Sequence, residues 1–184
     1  KKKANVALED KNKIIEQEQE RSEKLLLNIL PPAIAQELKE KGKAIARRYE
    51  ESTVLFTDFK NFTNIAERLS PEELVSQLDF YFKGFDAIIK KYNIEKIKTI
   101  GDAYMCAAGL SGKKSDATAM VKAAYEMKEF MKTAQYEKEA NSLPFFEARI
   151  GIHSGPVVAG VVGDDKFAFD IWGETVTIAV RMGL

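Results

Sequence analysis

IEKIKTIGDAYMCAAG, residues 94–109, decides the fold. Two strand-like runs, 94–100 and 103–109, flank Gly101-Asp102, and a Gly-containing pair between such runs predicts a tight β-hairpin. Upstream, STVLFTDF (residues 52–59) is β-branched and aromatic, the composition of a buried strand. Residues 61–69 look helical. Ser70-Pro71-Glu72-Glu73 then supplies an N-cap, a first-turn proline and two acids, and Leu74, Leu78, Phe82 and Phe85 mark the apolar face of a helix reaching about Tyr92. Downstream, residues 116–136 predict an amphipathic helix. Residues 145–153 and 156–162 read as two strands joined at Ser154-Gly155, 167–172 as another strand and 175–182 as a last helix. Strand, helix, strand, strand, helix, strand is the order of an α/β (α+β) ferredoxin-like βαββαβ sandwich, here over residues 49–184.

The first 30 residues differ in kind. Residues 11–24 are polar apart from Ile14 and Ile15 and lack glycine and proline, which favours a helix. Leu8, Ile15, Ser22 and Ile29 recur every seven residues, with Asn12, Gln19 and Leu26 at the alternate seam positions. Two readings fit: a coiled-coil linker that pairs two chains in parallel, or a solvated single helix. Pro31-Pro32 ends it, and residues 31–48 form a short helical lead-in with Gly42 as its stop signal.

Composition sets outer bounds. The chain has 184 residues, 45% hydrophobic and 30% charged, enough for one soluble domain with a core and a short extension. Its 28 basic and 28 acidic residues balance, so no global charge recruits nucleic acid or an anionic membrane. Cys106 is the single cysteine, which excludes an intramolecular disulfide and fits a reducing compartment. No apolar run approaches the roughly 20 residues that span a bilayer, and the basic start lacks the apolar core of a signal peptide. A cytoplasmic setting is expected, free or as the cytoplasmic part of a membrane-anchored protein. A start without methionine and an abrupt end at residues 181–184 read as a fragment of a longer chain.

Several polar residues stand where a rigid scaffold projects functional groups. Asp58 closes the first strand and Asp102 sits in the hairpin turn. Such a pair of carboxylates suits two hard divalent cations that clamp a phosphoryl group. The following helix would present free N–H groups around Asn61, Phe62 and Thr63, a natural phosphate site. The alternative is that Asp58 caps that helix and Asp102 is an ordinary turn residue. Lys98 and Asp170 each place a charge inside a strand run, which requires either solvent or a partner. Arg181, in the last helix, is within reach of a phosphate or is simply a surface arginine. His153, the only histidine, receives no role.

Together these segments resemble the class III adenylate/guanylate cyclase catalytic domain, most of all the homodimeric adenylate cyclases of bacterial type. Four stretches carry the likeness: VLFTDFKNFT (54–63), EKIKTIGDAYMCAAGL (95–110), RIGIHSGPVVAGVVG (149–163) and FDIWGETVTIAVRM (169–182). EKLLLNILPPAIAQEL (23–38) is similar to the helical lead-in of cyclases that follow a sensor domain. The resemblance implies two metal ions, Mg²⁺ or Mn²⁺, on Asp58, Asp102 and the Phe59 carbonyl, with the active site between two subunits. It puts Lys98 and Asp170 at the base-reading positions, where a lysine donor and an aspartate acceptor suit adenine. Guanylate cyclases of the family typically carry glutamate and cysteine there. ATP would yield 3′,5′-cyclic AMP and pyrophosphate, with Arg181 stabilising the transition state.

Two departures from the pattern bear on activity. The family's asparagine four residues before the arginine is Thr177 here, as in the metal-contributing half of two-part family members. Further strands and a phosphate-contacting lysine are expected beyond residue 184. The resemblance therefore also leaves open a weakened or inactive regulatory dimerisation domain, and guanylate cyclase activity. Diguanylate cyclase activity is not expected, because no Gly-Gly-(Asp/Glu)-(Asp/Glu)-Phe signature occurs.

Overall fold

The computed structural model describes residues 2–110, 112, 114–163 and 166–183, with no account of the side chains of residues 2–8 and 10. The side chain of Leu8 in the heptad pattern and the whole of Leu184 therefore lie outside what is described. Contacts divide the chain into one unit of residues 1–45 and 161–169 and a second of residues 46–160 and 170–184.

In the first unit, α1 (Lys2–Leu27) runs into α2 (Pro32–Lys41). Proline opens α2, where its missing N–H costs nothing, and Gly42 closes it with φ 69°, its N–H returning to the Leu38 carbonyl. Ile14, Ile15 and Leu25 of α1 are exposed. Lys39 reaches back to Glu23 at 2.6 Å.

The sheet and its helices, in the second unit apart from residues 161–162 and 168–169, are β1 (Arg47–Phe59), α3 (Phe62–Ala66), α4 (Pro71–Lys91), β2 (Glu95–Ile100), β3 (Ala103–Ala108), α5 (Ala117–Ala140), β4 (Ala148–Val162), β5 (Ala168–Trp172) and α6 (Glu174–Met182). The strand order is β2-β3-β1-β4-β5, with antiparallel β1–β3, β1–β4 and β2–β3 pairs. The first four strands have the βαββαβ arrangement expected from sequence, and β5 adds an edge. Ile100 and Ala103 close the predicted hairpin, and Gly101 takes φ 60°, a conformation glycine adopts without steric cost. The Ser70 N-cap of α4 forms as read, and Glu73 completes a capping box with it, satisfying two N-terminal backbone donors; such caps contribute about 1 kcal/mol.

Directly opposite residues share a sheet face. On one face Leu55, Phe59, Tyr104 and Cys106 pack with Tyr81 and Phe85 of α4 and Met120 and Met127 of α5. The Phe59 and Phe146 rings stack with centroids 4.9 Å apart. On the other face, α6 presses so close that a Cβ on Gly151 would stand 2.0 Å from the Ala179 carbonyl oxygen.

Several boundaries differ from the sequence reading. β1 begins five residues earlier, at Arg47, and α3 covers only residues 62–66 of the helix expected over 61–69. The two strands expected around Ser154-Gly155 are one strand. Its ladder with β1 steps from Tyr49↔Val157 to Ser52↔Gly155, so Pro156 sits opposite a bulge in β1 where no N–H is demanded of it.

Candidate active site

Asp58 and Arg149 are direct partners in the β1–β4 ladder, on the α6 face of the sheet. Arg149 donates twice, Nε to Oδ1 at 3.0 Å and Nη2 to Oδ2 at 2.7 Å. This parallel fork occupies both oxygens of a carboxylate that is 25% exposed. Asp58 is therefore no helix cap: Asn61 holds that position with φ 52° and makes no side-chain cap bond. Asp102, from the hairpin turn, accepts the Phe59 N–H on Oδ2 at 3.4 Å. The hairpin tip thus places the Asp102 carboxylate against the backbone of the residue that follows Asp58.

Among the described residues no cluster of three or more His, Cys, Asp or Glu side chains could hold a metal. Two carboxylates and a backbone carbonyl are nonetheless hard oxygen donors, the sparse set on which Mg²⁺ is commonly held together with substrate phosphates. The donor chemistry fits a divalent cation, with Arg149 as its competitor at Asp58.

Lys98 and Asp170 meet as an ion pair, Nζ to Oδ2 at 2.5 Å. Their strands, β2 and β5, are the two edges of the sheet. Three strands intervene, roughly 19 Å across a flat sheet at about 4.8 Å per strand. A lysine cannot span that, so the sheet curls until its edges approach over the α6 face. A bulge at Ile97 makes the geometry possible: the ladder steps from Lys96↔Cys106 to Lys98↔Met105. Lys96 consequently serves the helix face, where it binds Asp86 at 2.9 Å, and Lys98 serves the other. Asp170 is fixed a second time, its Oδ1 accepting the Ile171 N–H at 2.8 Å.

Thr177 and Arg181 lie one turn apart, both exposed, on α6. Asn61, Phe62 and Thr63 form the entry to α3, beside Phe59 in sequence. His153 lines a separate cleft of about 340 Å³ with Arg48, Trp172 and Thr175. Burial pushes the Cys106 thiol well above its ordinary range, with the Asp86 carboxylate adding to the effect, so that sulfur is not a nucleophile. The residue that sequence reasoning missed is Arg149. The signal was the one used for Lys98 and Asp170, a charge inside a strand run.

The adenylate and guanylate cyclase catalytic domain family matches residues 44–183. The chain belongs to this family. Its relatives include an adenylate cyclase of Mycobacterium tuberculosis, 40% identical over 171 residues, covering 92% of this chain and 38% of the relative. Human guanylyl cyclase C is 38% identical over 177 residues, 95% of this chain and 16% of that protein. The cyclase domain thus spans well under half the length of these curated relatives. Among solved structures, the adenylyl cyclase CyaB from P. aeruginosa superposes with a TM-score of 0.70 at 29% identity, covering 76% of this chain and 73% of that one. Adenylate and guanylate cyclases are similarly near, so family membership does not choose the base. No described helix of the cyclase domain chain is long and apolar enough to cross a membrane.

Proposed function

We propose that this cyclase domain converts ATP to 3′,5′-cyclic AMP and pyrophosphate at a site shared by two copies of the chain. The observation that carries the choice of adenine is the Lys98–Asp170 pair. An ammonium only donates hydrogen bonds and a carboxylate only accepts them. Adenine offers the complement, an acceptor at N1 and a donor amino group, whereas guanine has a donor at N1 and an acceptor at O6. Asp170 keeps its orientation through the Ile171 amide when Lys98 turns to the base.

Asp58, Asp102 and the Phe59 carbonyl would hold two divalent ions, Mg²⁺ or Mn²⁺. Bound there, the ions would offset phosphate charge and ease ionisation of the ribose 3′-hydroxyl that attacks the α-phosphorus. The first amides of α3, at Phe62 and Thr63, have no intrahelical partner and no side-chain cap, and they suit phosphate oxygens. Arg181 would stabilise the charge that develops at phosphorus, with Thr177 as its neighbour toward the ribose. Pairing through the catalytic domain and α1 would complete the site, an upstream sensor would supply the input, and the setting would be cytoplasmic.

A second reading rests on Thr177, whose hydroxyl reaches less far than the family's asparagine: a regulatory domain that dimerises without turnover. Incubation of the purified protein with ATP or GTP and Mn²⁺ or Mg²⁺, with cyclic nucleotide quantified by chromatography, separates the two. Cyclic AMP should form and fall on the order of 10²-fold or more in Asp58→Ala. Cyclic GMP as the main product would overturn the base assignment. No product from either nucleotide, with no rescue by Thr177→Asn, would leave the regulatory reading standing.

A further inference from the structure

We propose that Arg149 is a place-holding cation, a positioning residue that orients Asp58 and competes for it with a divalent ion. The inference rests on the reading of Asp58 as a metal ligand. The fork from Arg149 uses both Asp58 oxygens at 3.0 and 2.7 Å. An ion bound directly to Asp58 would sit beside a guanidinium of like sign, in a setting where the carboxylate is only 25% exposed and screening is weak. The two cations therefore compete for the same carboxylate, and the fork weakens the hold of the ion. Arginine does not lose its charge in a protein, so it yields by moving, not by deprotonating. It has the freedom to do so: its side chain is 36% exposed and can swing toward water.

Asp102 accepts the Phe59 N–H and Asp58 precedes that residue in β1, and two carboxylates brought close together repel. Arg149 neutralises one of them and pins its rotamer, so the site is pre-shaped before an ion arrives. The cost falls on metal affinity.

Titration of the protein with Mn²⁺ alone, following free Mn²⁺ by electron paramagnetic resonance, tests this without reference to turnover. Arg149→Gln should bind Mn²⁺ about threefold to tenfold more tightly than the wild type. Arg149→Lys, with the charge but not the fork, should fall between. Binding by Arg149→Gln that equals or trails the wild type overturns the proposal, including the case in which neither retains the ion. If that variant loses its circular-dichroism signature, Arg149→Lys carries the same comparison. Asp58→Asn separates the two levels of the argument. Unchanged Mn²⁺ binding in Asp58→Asn removes the metal reading itself. Weakened binding there, with Arg149→Gln and Arg149→Lys like the wild type, removes only the role of Arg149.

Discussion

Lys98 is 37% exposed and Asp170 15%, so each would be an isolated charge in a half-dry setting without the other. Their mutual pairing is at once a structural solution and a display of one donor beside one acceptor. Reversing that display should reverse the preference for the base. Lys98→Glu combined with Asp170→Cys is expected to shift the ratio of kcat/KM for ATP against GTP toward GTP by on the order of 10²-fold, read from initial rates with each nucleotide. An unchanged ratio would detach the pair from base recognition. The two charges were legible in sequence because each interrupts an apolar strand run. Their contact was not, since it depends on a bulge at Ile97 and on curling of the sheet. Arg149 was hidden for a related reason: its partner lies 91 residues away, and only the β1–β4 register joins them.

At the scale of elements, α6 and β4 are held together by what is missing from Gly151. Any Cβ there meets backbone on the helix side, the Ala179 carbonyl oxygen at 2.0 Å and the Gly183 nitrogen at 2.6 Å. Backbone cannot rotate aside as a side chain can. Gly151→Ala should therefore lift α6 from the sheet and destabilise the domain by about 1–3 kcal/mol, measured from the midpoint of denaturant unfolding. A midpoint equal to the wild type would mean that α6 is not seated as described. Gly155 has a similar duty: a Cβ would stand 2.5 Å from Thr175 Oγ1, and that hydroxyl donates to the Pro156 carbonyl at 2.7 Å. Here the sequence misled. Ser-Gly-Pro is the composition of a turn, yet the glycine makes room for a helix and the proline sits opposite a bulge. The helices were easier to read, because the Ser70 N-cap with its proline and acids is a local signal that needs no distant partner.

On the scale of the molecule, α1 places apolar side chains in water, Ile14 at 59%, Ile15 at 54% and Leu25 at 58% exposure. A helix of 26 residues with this pattern suits pairing with a second copy. Removal of residues 1–30 should weaken self-association, seen as a shift from dimer toward monomer in sedimentation equilibrium. A dimer of undiminished strength would assign all pairing to the catalytic unit and leave α1 as a solvated connector. The layered βαββαβ order was readable from local patterns, and the fifth strand as well. How far the sheet bends was not, because bending accumulates over strands that local sequence treats one at a time.

That bend also bears on ancestry. If Lys98 and Asp170, drawn from opposite edges of one sheet, read the base together, no change at one of them alone exchanges one purine preference for the other. Changing Asp170 first strands a lysine, and Lys98→Glu first sets two acids against each other, so either single change leaves an uncompensated charge. A lineage carrying this pair should hold its substrate for long periods and leave it, when it does, in two nearly simultaneous steps.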